Sequence, residues 1–313
     1  MSEQPNELEA SFIEKIAHNV GPAGIDIAYQ RLGEPEAPVV LLVMGVASQS
    51  IHWPESFCRA LVKHGLQLIR FDNRDAGLST HMTTAAVPDL PATLAGDYAS
   101  ASYTLPDMAA DAVGLLDALG ISRAHIVGAS MGGQIAQVMA TDFPDRVASL
   151  ISMMSTTGSR TAGQASPDVL RELFSGPPAT TRDQVIQLYL RVTRLVGSPV
   201  FPSDENEVAA NAGRAFDRSY DPIGTARQAV ATVASGDRTE QLRKLRVPTL
   251  VIHGLEDPMC NVSGGRATAE AIPNAELVII EGMGHNLPPG LRARLADQIA
   301  EFVWRVERLQ IQL

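Results

Sequence analysis

Gly128-Ala129-Ser130-Met131-Gly132 stands between an apolar run, Ala124-His125-Ile126-Val127, and a run with helical spacing that begins at Gly133 and continues through Ala140. Strand, Gly-x-Ser-x-Gly and helix in that order describe a sharp turn with a serine at its tip. Glycines at 128 and 132 remove the side chains that would collide where the strand folds back against the helix. The helix behind Ser130 directs backbone N–H groups toward the serine, and such a helix start suits a developing negative charge. The competing reading is a Gly-rich strand-to-helix turn with an incidental serine. The rest of the chain decides between the two.

The segments on either side read as an open α/β sheet. Val39 to Met44 is apolar on both faces, as a central parallel strand requires. A helix over Ser56–His64, a strand over Leu66–Phe71, an amphipathic helix over Leu105–Leu119 ended by Gly120, and a buried strand over Val147–Met153 follow. Asp107, Asp111 and Asp117 fall off the apolar face of the Leu105–Leu119 helix. This alternation demands parallel strands with right-handed crossovers. An entry hairpin of Phe12–Ala17 and Ile25–Gln30 precedes it. After residue 157 no strand-like run appears until Pro248–Gly254. Helical stretches at Gln184–Val196, Glu205–Arg218 and Pro222–Ser235 fill the gap. Helix Val262–Ala271, strand Glu276–Glu281 and helix Leu291–Arg308 then complete the pattern. We therefore expect a disordered tail over 1–10, one α/β core from 11–156 and 236–313, and an all-helical cap over 157–235.

With 45% hydrophobic and 19% charged residues among 313, the chain has the makeup of a globular protein with a large core. A net charge of −10 argues against nucleic acid and anionic membranes as partners. The first residues carry no basic and apolar signal pattern, and no apolar run approaches the ~20 residues of a membrane span. The expected location is the cytoplasm, the expected partner a small molecule, and the expected state a monomer or homodimer. Cys58 and Cys260 lie in or beside apolar segments and read as buried free thiols. No metal or cofactor motif is present: there is no His-x-x-x-His, no Cys-x-x-Cys and no phosphate-cradling loop. The charged run Asp72-Asn73-Arg74-Asp75 reads as a hydrogen-bonded turn that braces the site.

A serine nucleophile needs a base, and the base needs an orienting carboxylate. Catalytic groups in such sheets sit at the C-terminal ends of strands. Of the seven histidines, that criterion retains His253, ending one late strand, and His285, in the loop Gly282-Met283-Gly284-His285-Asn286. The glycine-flanked His285 is preferred as the base, and His253 is the alternative. His125 begins the strand that leads to Ser130, so it belongs to the opposite edge. His52 is a candidate for the mouth of the site. Asp257 in Leu255-Glu256-Asp257-Pro258 is the preferred carboxylate, with Glu256 as the fallback. The order Ser130, Asp257, His285 is that of nucleophile-elbow enzymes. A tetrahedral intermediate also needs donors for its oxyanion. The backbone N–H of Met131 supplies one, and that of Val46, in the turn Met44-Gly45-Val46-Ala47, is the choice for the second.

These pieces together resemble the α/β-hydrolase superfamily over nearly the whole chain: the Gly128–Gly132 elbow, the Gly45 turn, the stretch Phe71–Ser79, Pro248–Asp257 and Gly282–His285. Within it the sequence looks most like the aclacinomycin methylesterase-like bacterial carboxylesterases. Those share a Met-Gly turn followed by Trp-Pro, here Met44-Gly45 and Trp53-Pro54, a Gly-x-Ser-Met-Gly elbow and a Gly-Met-Gly-His loop. The more common superfamily turn is His-Gly, and Met44 in its place leaves the backbone donor untouched. The resemblance implies the α/β-hydrolase fold with a helical cap, the roles given above to Ser130, Asp257, His285, Val46 and Met131, and hydrolysis of a small to medium carboxylic ester. The same triad could instead open lactones or enol-lactones, cleave a carbon–carbon bond or carry out perhydrolysis. A binding protein that has kept the pocket is a third class. The polyketide substrate of the methylesterases is not carried over, because the cap cannot be matched residue by residue. Met153, Met154, Leu188, Phe201 and Phe216 are candidates either for an apolar pocket or for the cap's own core.

Overall fold

The computed structural model describes residues 12–173, 175 and 178–311, and the expected tail over 1–10 lies outside them. Eight strands run β1 (Glu14–Val20), β2 (Ile25–Leu32), β3 (Val39–Val43), β4 (Gln67–Phe71), β5 (Ala124–Ala129), β6 (Val147–Met153), β7 (Thr249–Gly254) and β8 (Glu276–Ile280). They form one sheet in the order β1-β2-β4-β3-β5-β6-β7-β8. The β1–β2 and β2–β4 pairs are antiparallel, and every pair from β4 to β8 is parallel.

Helices α1 (Glu55–Lys63), α2 (Leu90–Leu94), α3 (Leu105–Ala118) and α4 (Met131–Asp142) join the strands up to β6. Between β6 and β7 lie α5 (Pro167–Leu173), α6 (Arg182–Val196), α7 (Glu205–Arg218), α8 (Pro222–Ala234) and α9 (Thr239–Leu242). Helices α10 (Ser263–Ala271) and α11 (Pro289–Ile311) complete the chain. Among the described residues no helix is long and apolar enough to cross a membrane.

Apolarity on both faces of the central strands has a direct consequence. In β3, Leu41 and Val43 face a core layer shared with α3 and α4, while Val40 and Leu42 face one shared with α1 and α11. Period-two alternation thus feeds two layers, and burying each such side chain contributes roughly 1.5–3 kcal/mol. Cys58 and Cys260 are both buried and free.

Three features differ from the sequence expectation. Asp111 lies inside the α3 interface, 2% exposed, where its carboxylate takes both Nε and Nη2 of Arg74 at 2.6 and 2.7 Å. Apolar spacing cannot announce a carboxylate whose partner arrives from another loop. Asp107 and Asp117 do face solvent. The stretch after Ser79 contains the short helix α2, and α5 and α9 were not anticipated either. None of the three is long enough to show a helical period. Met153, offered above both as the end of a strand and as a cap residue, is the end of β6, and it packs with Met154 in the core layer next to α11.

The parallel strands run in one direction. The chain therefore leaves β3, β5, β7 and β8 along a single edge of the sheet, and the Gly45, Ser130, Asp257 and His285 loops all begin there.

Candidate active site

Ser130 has φ 56° and ψ −123° at the junction of β5 and α4. A serine rarely adopts that conformation, so the surroundings must hold it. Its N–H donates to the Met153 carbonyl at 3.0 Å, and its own carbonyl accepts from Gly133 N–H at 2.9 Å and Ser155 Oγ at 2.8 Å. Close approach explains the two glycines. A Cβ at Gly128 would stand 2.1 Å from the Gly132 carbonyl oxygen, and one at Gly132 would stand 2.0 Å from that of Val43.

His285 arrives from the loop after β8. Its Nε2 lies 3.1 Å from Ser130 Oγ and its Nδ1 lies 2.7 Å from Asp257 Oδ2. A carboxylate only accepts, so Nδ1 carries the proton and the Nε2 lone pair faces the serine hydroxyl. Asp257 is buried after β7, and its Oδ1 accepts from the Met259 and Cys260 N–H groups at 2.9 and 2.8 Å. Those two donors fix the carboxylate plane. Ser130, His285 and Asp257 are thus brought into one hydrogen-bonded line, as the chain order suggested.

His253 and Glu256, the alternatives, sit elsewhere in the same machinery. His253 Nε2 donates to the Cys260 carbonyl at 2.7 Å, and Oδ2 of Asp257 is 3.6 Å away. Burial pushes the His253 pKa down and keeps the ring neutral. Glu256 Oε2 accepts from Gly282 N–H at 2.6 Å, which anchors the start of the His285 loop. His125 lies at the opposite edge, bonded to Ser149 at 2.8 Å and Glu307 at 3.0 Å. His52 stacks on Tyr189 of α6 with ring centroids 5.4 Å apart.

The turn after β3 runs against the serine. A Cβ at Gly45 would be 3.0 Å from Ser130 Cβ. Among the described residues neither Val46 N–H nor Met131 N–H donates a hydrogen bond to another group of the chain. The stretch from Asp72 to Ser79 braces this region. Asn73 Nδ2 donates to the Met44 carbonyl at 3.0 Å, and Asp72 Oδ1 accepts from Ser50 N–H at 2.6 Å. Asp75, Oδ1 and Oδ2 alike, is held by Arg227 of α8 at 2.8 Å.

Several contacts here come from the segment between β6 and β7, and no spacing in the sequence announces them. The His285 N–H donates to the Val196 carbonyl at 2.7 Å, and Gly284 N–H donates to Ser198 Oγ at 2.9 Å. Ser198 N–H and Oγ–H donate to Asn286 Oδ1 at 3.0 and 2.6 Å. Ala47 meets both Tyr189 and Gln228.

A cleft of about 780 Å³ opens between this segment and the sheet edge, lined by Ala47 and Ala76 on one side and Val185, Leu188, Tyr189 and Phe216 on the other. Ser130 and His285 do not line it, and Ala47 is its link to the serine's surroundings. Of the apolar candidates, Leu188 and Phe216 face the cleft, whereas Phe201 packs against the α11 side of the core. Asp75, His81 and Asp221 place ligand-type atoms within 4.8 Å of one another on the cleft wall. The Arg227 guanidinium already balances Asp75, and the hydroxyl of Tyr103 donates to the same carboxylate at 2.7 Å. That cluster reads as an ion-pair knot, not a cation seat.

Comparison with known proteins adds the family. The sequence profile described as alpha/beta hydrolase fold matches residues 38–288. The chain is 29% identical over 294 residues to rhodomycin D methylesterase DnrP of Streptomyces peucetius, covering 86% of this chain and 91% of that one. It is 30% identical over 223 residues to 2-hydroxymuconate semialdehyde hydrolase of Pseudomonas putida, covering 67% and 73%. Among solved structures, a putative aryl esterase from Burkholderia cenocepacia superposes with a TM-score of 0.73 at 18% identity over 95% of this chain and all of that one.

Proposed function

The chain belongs to the alpha/beta hydrolase fold family, and from that premise we propose that it is a serine carboxylesterase acting on a small to medium carboxylic ester. The observation that carries the reading is the run of two hydrogen bonds from Asp257 through His285 to Ser130, at 2.7 and 3.1 Å. In this reading His285 Nε2 takes the Ser130 proton as Oγ attacks the ester carbonyl. The oxyanion is held by Val46 and Met131 N–H. His285 returns the proton to the departing alcohol, leaving an acyl-enzyme on Ser130. Water, deprotonated by the same nitrogen, then attacks the acyl carbon, and the carboxylic acid leaves with Ser130 restored. Asp257 steadies the imidazolium that forms twice per cycle. The segment between β6 and β7 serves as a cap that sets which esters enter.

The test pairs labelling with turnover. Diethyl p-nitrophenyl phosphate should modify Ser130 stoichiometrically, and Ser130→Ala should lose turnover of p-nitrophenyl esters by roughly 10³-fold or more while staying folded. Near-native activity in Ser130→Ala would overturn the assignment, and an unlabelled wild type would favour a binding protein. The likeness to a 2-hydroxymuconate semialdehyde hydrolase supports a second reading, carbon–carbon bond hydrolysis by the same three residues. Comparing kcat/KM on p-nitrophenyl esters, lactones and vinylogous diketones separates the two.

A further inference from the structure

Between Asn73 and the cap, the turn that carries Val46 is held at both ends, and its Val46 N–H has no partner among the described residues. On the sheet side, Asn73 Nδ2 holds the Met44 carbonyl at 3.0 Å. On the far side, Ala47 N–H donates to Gln228 Oε1 of α8 at 3.2 Å, and the Ala47 carbonyl accepts from Tyr189 Oη of α6 at 2.8 Å. Ala47 has φ 61°, a conformation an alanine reaches only when its neighbours impose it. Gly45, one residue before Val46, has no side chain with which to resist rotation. The aim of the Val46 N–H therefore depends on the two peptides that follow it, and each is gripped by a side chain from the segment between β6 and β7: Val46–Ala47 by Gln228, through the Ala47 N–H, and Ala47–Ser48 by Tyr189, through the Ala47 carbonyl.

We propose that Tyr189 and Gln228 are positioning residues that hold the Val46–Ala47 turn so that its N–H points at the substrate oxyanion. This rests on the esterase reading of Ser130. The partners of each group support the assignment. Gln228 is fully buried, and its Nε2 donates to the Arg74 carbonyl at 2.8 Å, so the amide is fixed with its oxygen toward Ala47. Tyr189 is packed against His52 as well as bonded to Ala47. Burial holds its hydroxyl as a phenol, its pKa pushed up to about 12, and a phenol can donate to a carbonyl where a phenolate cannot. The same helix reaches the catalytic base: roughly two turns beyond Tyr189, the Val196 carbonyl accepts the His285 N–H. One cap helix thus touches both the oxyanion turn and the base loop.

Tyr189→Phe tests the proposal, because it removes one oxygen and keeps the ring that faces the cleft and stacks on His52. Gln228→Met is the second variant, and it removes the acceptor for Ala47 N–H. A misaimed donor weakens an interaction made in the transition state, so we expect kcat for p-nitrophenyl acetate to fall roughly 10- to 100-fold with KM within about twofold. Inhibition by an alkyl trifluoromethyl ketone, which adds the serine to give an oxyanion, should weaken by the same factor. The pH profile should keep its midpoint, since His285 and Asp257 are untouched. A kcat within twofold of wild type in Tyr189→Phe, or a rise in KM alone, would overturn the proposal and leave Tyr189 as a cleft wall. Ser130→Ala run alongside reads the parent assignment separately. If that variant keeps its activity, the esterase reading falls and this one with it. If it is inactive while Tyr189→Phe is not, only the positioning role fails.

Discussion

Two histidines lie within reach of the Asp257 carboxylate, His285 at 2.7 Å and His253 at 3.6 Å, and only His285 faces Ser130. The difference is topological. His253 ends β7 with its side chain pointing under α10, where a Cβ at Gly265 would stand 2.5 Å from its Nδ1. His285 comes over the top of the sheet edge from the next loop. Removing each ring should therefore have different consequences. His285→Ala should reproduce the loss expected of Ser130→Ala with little change in stability. His253→Ala should leave kcat within about tenfold and lower the unfolding free energy by about 1–3 kcal/mol, through a buried cavity and the lost bond to the Cys260 carbonyl. Ester turnover and urea denaturation of both variants check this, and the reverse pattern would exchange the two roles.

At the scale of elements, His285 sits on a loop that borrows its rigidity. Gly284 N–H, His285 N–H and Asn286 Oδ1 all bond to Val196, the last residue of α6, or to Ser198 just beyond it. Ser198→Ala would leave the buried Gly284 N–H without an acceptor, at a cost of about 1–3 kcal/mol. We expect faster amide exchange over residues 282–286 and a kcat reduced about tenfold; unchanged exchange would show that the loop holds its own shape. These seams were beyond sequence reasoning, whereas the strands were not. Two-sided apolarity gave Val39–Met44 for β3 and Pro248–Gly254 for β7, each within a residue of the observed limits. The hairpin runs longer than its apolar pattern indicates, because β1 continues through the polar Asn19 and β2 through Leu32. That Ser130, Asp257 and His285 meet was legible because strand ends and glycine turns fix where a loop begins. Tyr189, Gln228 and Ser198 were not, since each acts on a residue distant in sequence and carries no pattern of its own.

Over the whole molecule, the segment between β6 and β7 is fastened to the sheet edge by two guanidinium groups set in low-dielectric surroundings. Arg218 of α7 reaches Asp72 at 2.8 Å and also pairs with Glu14 of β1, and Arg227 of α8 takes Asp75 through two bonds of 2.8 Å. The second pair is the more deeply enclosed, with side chains 4% and 0% exposed. Replacing such a pair by apolar groups can be neutral, but removing one partner strands the other charge. Asp75→Asn should therefore cost about 3–5 kcal/mol at pH 7. Acid should narrow that difference by the share that the carboxylate's charge contributes. Burial by itself would raise the Asp75 pKa; the bonds from Arg227, Met82 N–H and Tyr103 outweigh it and hold the carboxyl below its ordinary 3.8. As pH falls, the unfolded chain binds this proton first, so the contribution is complete above about pH 4 and disappears as pH drops through the lower folded value. Urea midpoints of wild type and Asp75→Asn should lie far apart at pH 7 and draw closer below about pH 4. A gap that stays constant across that range would mean that Asp75 holds Arg227 by shape and hydrogen bonding alone, with no net share from its charge.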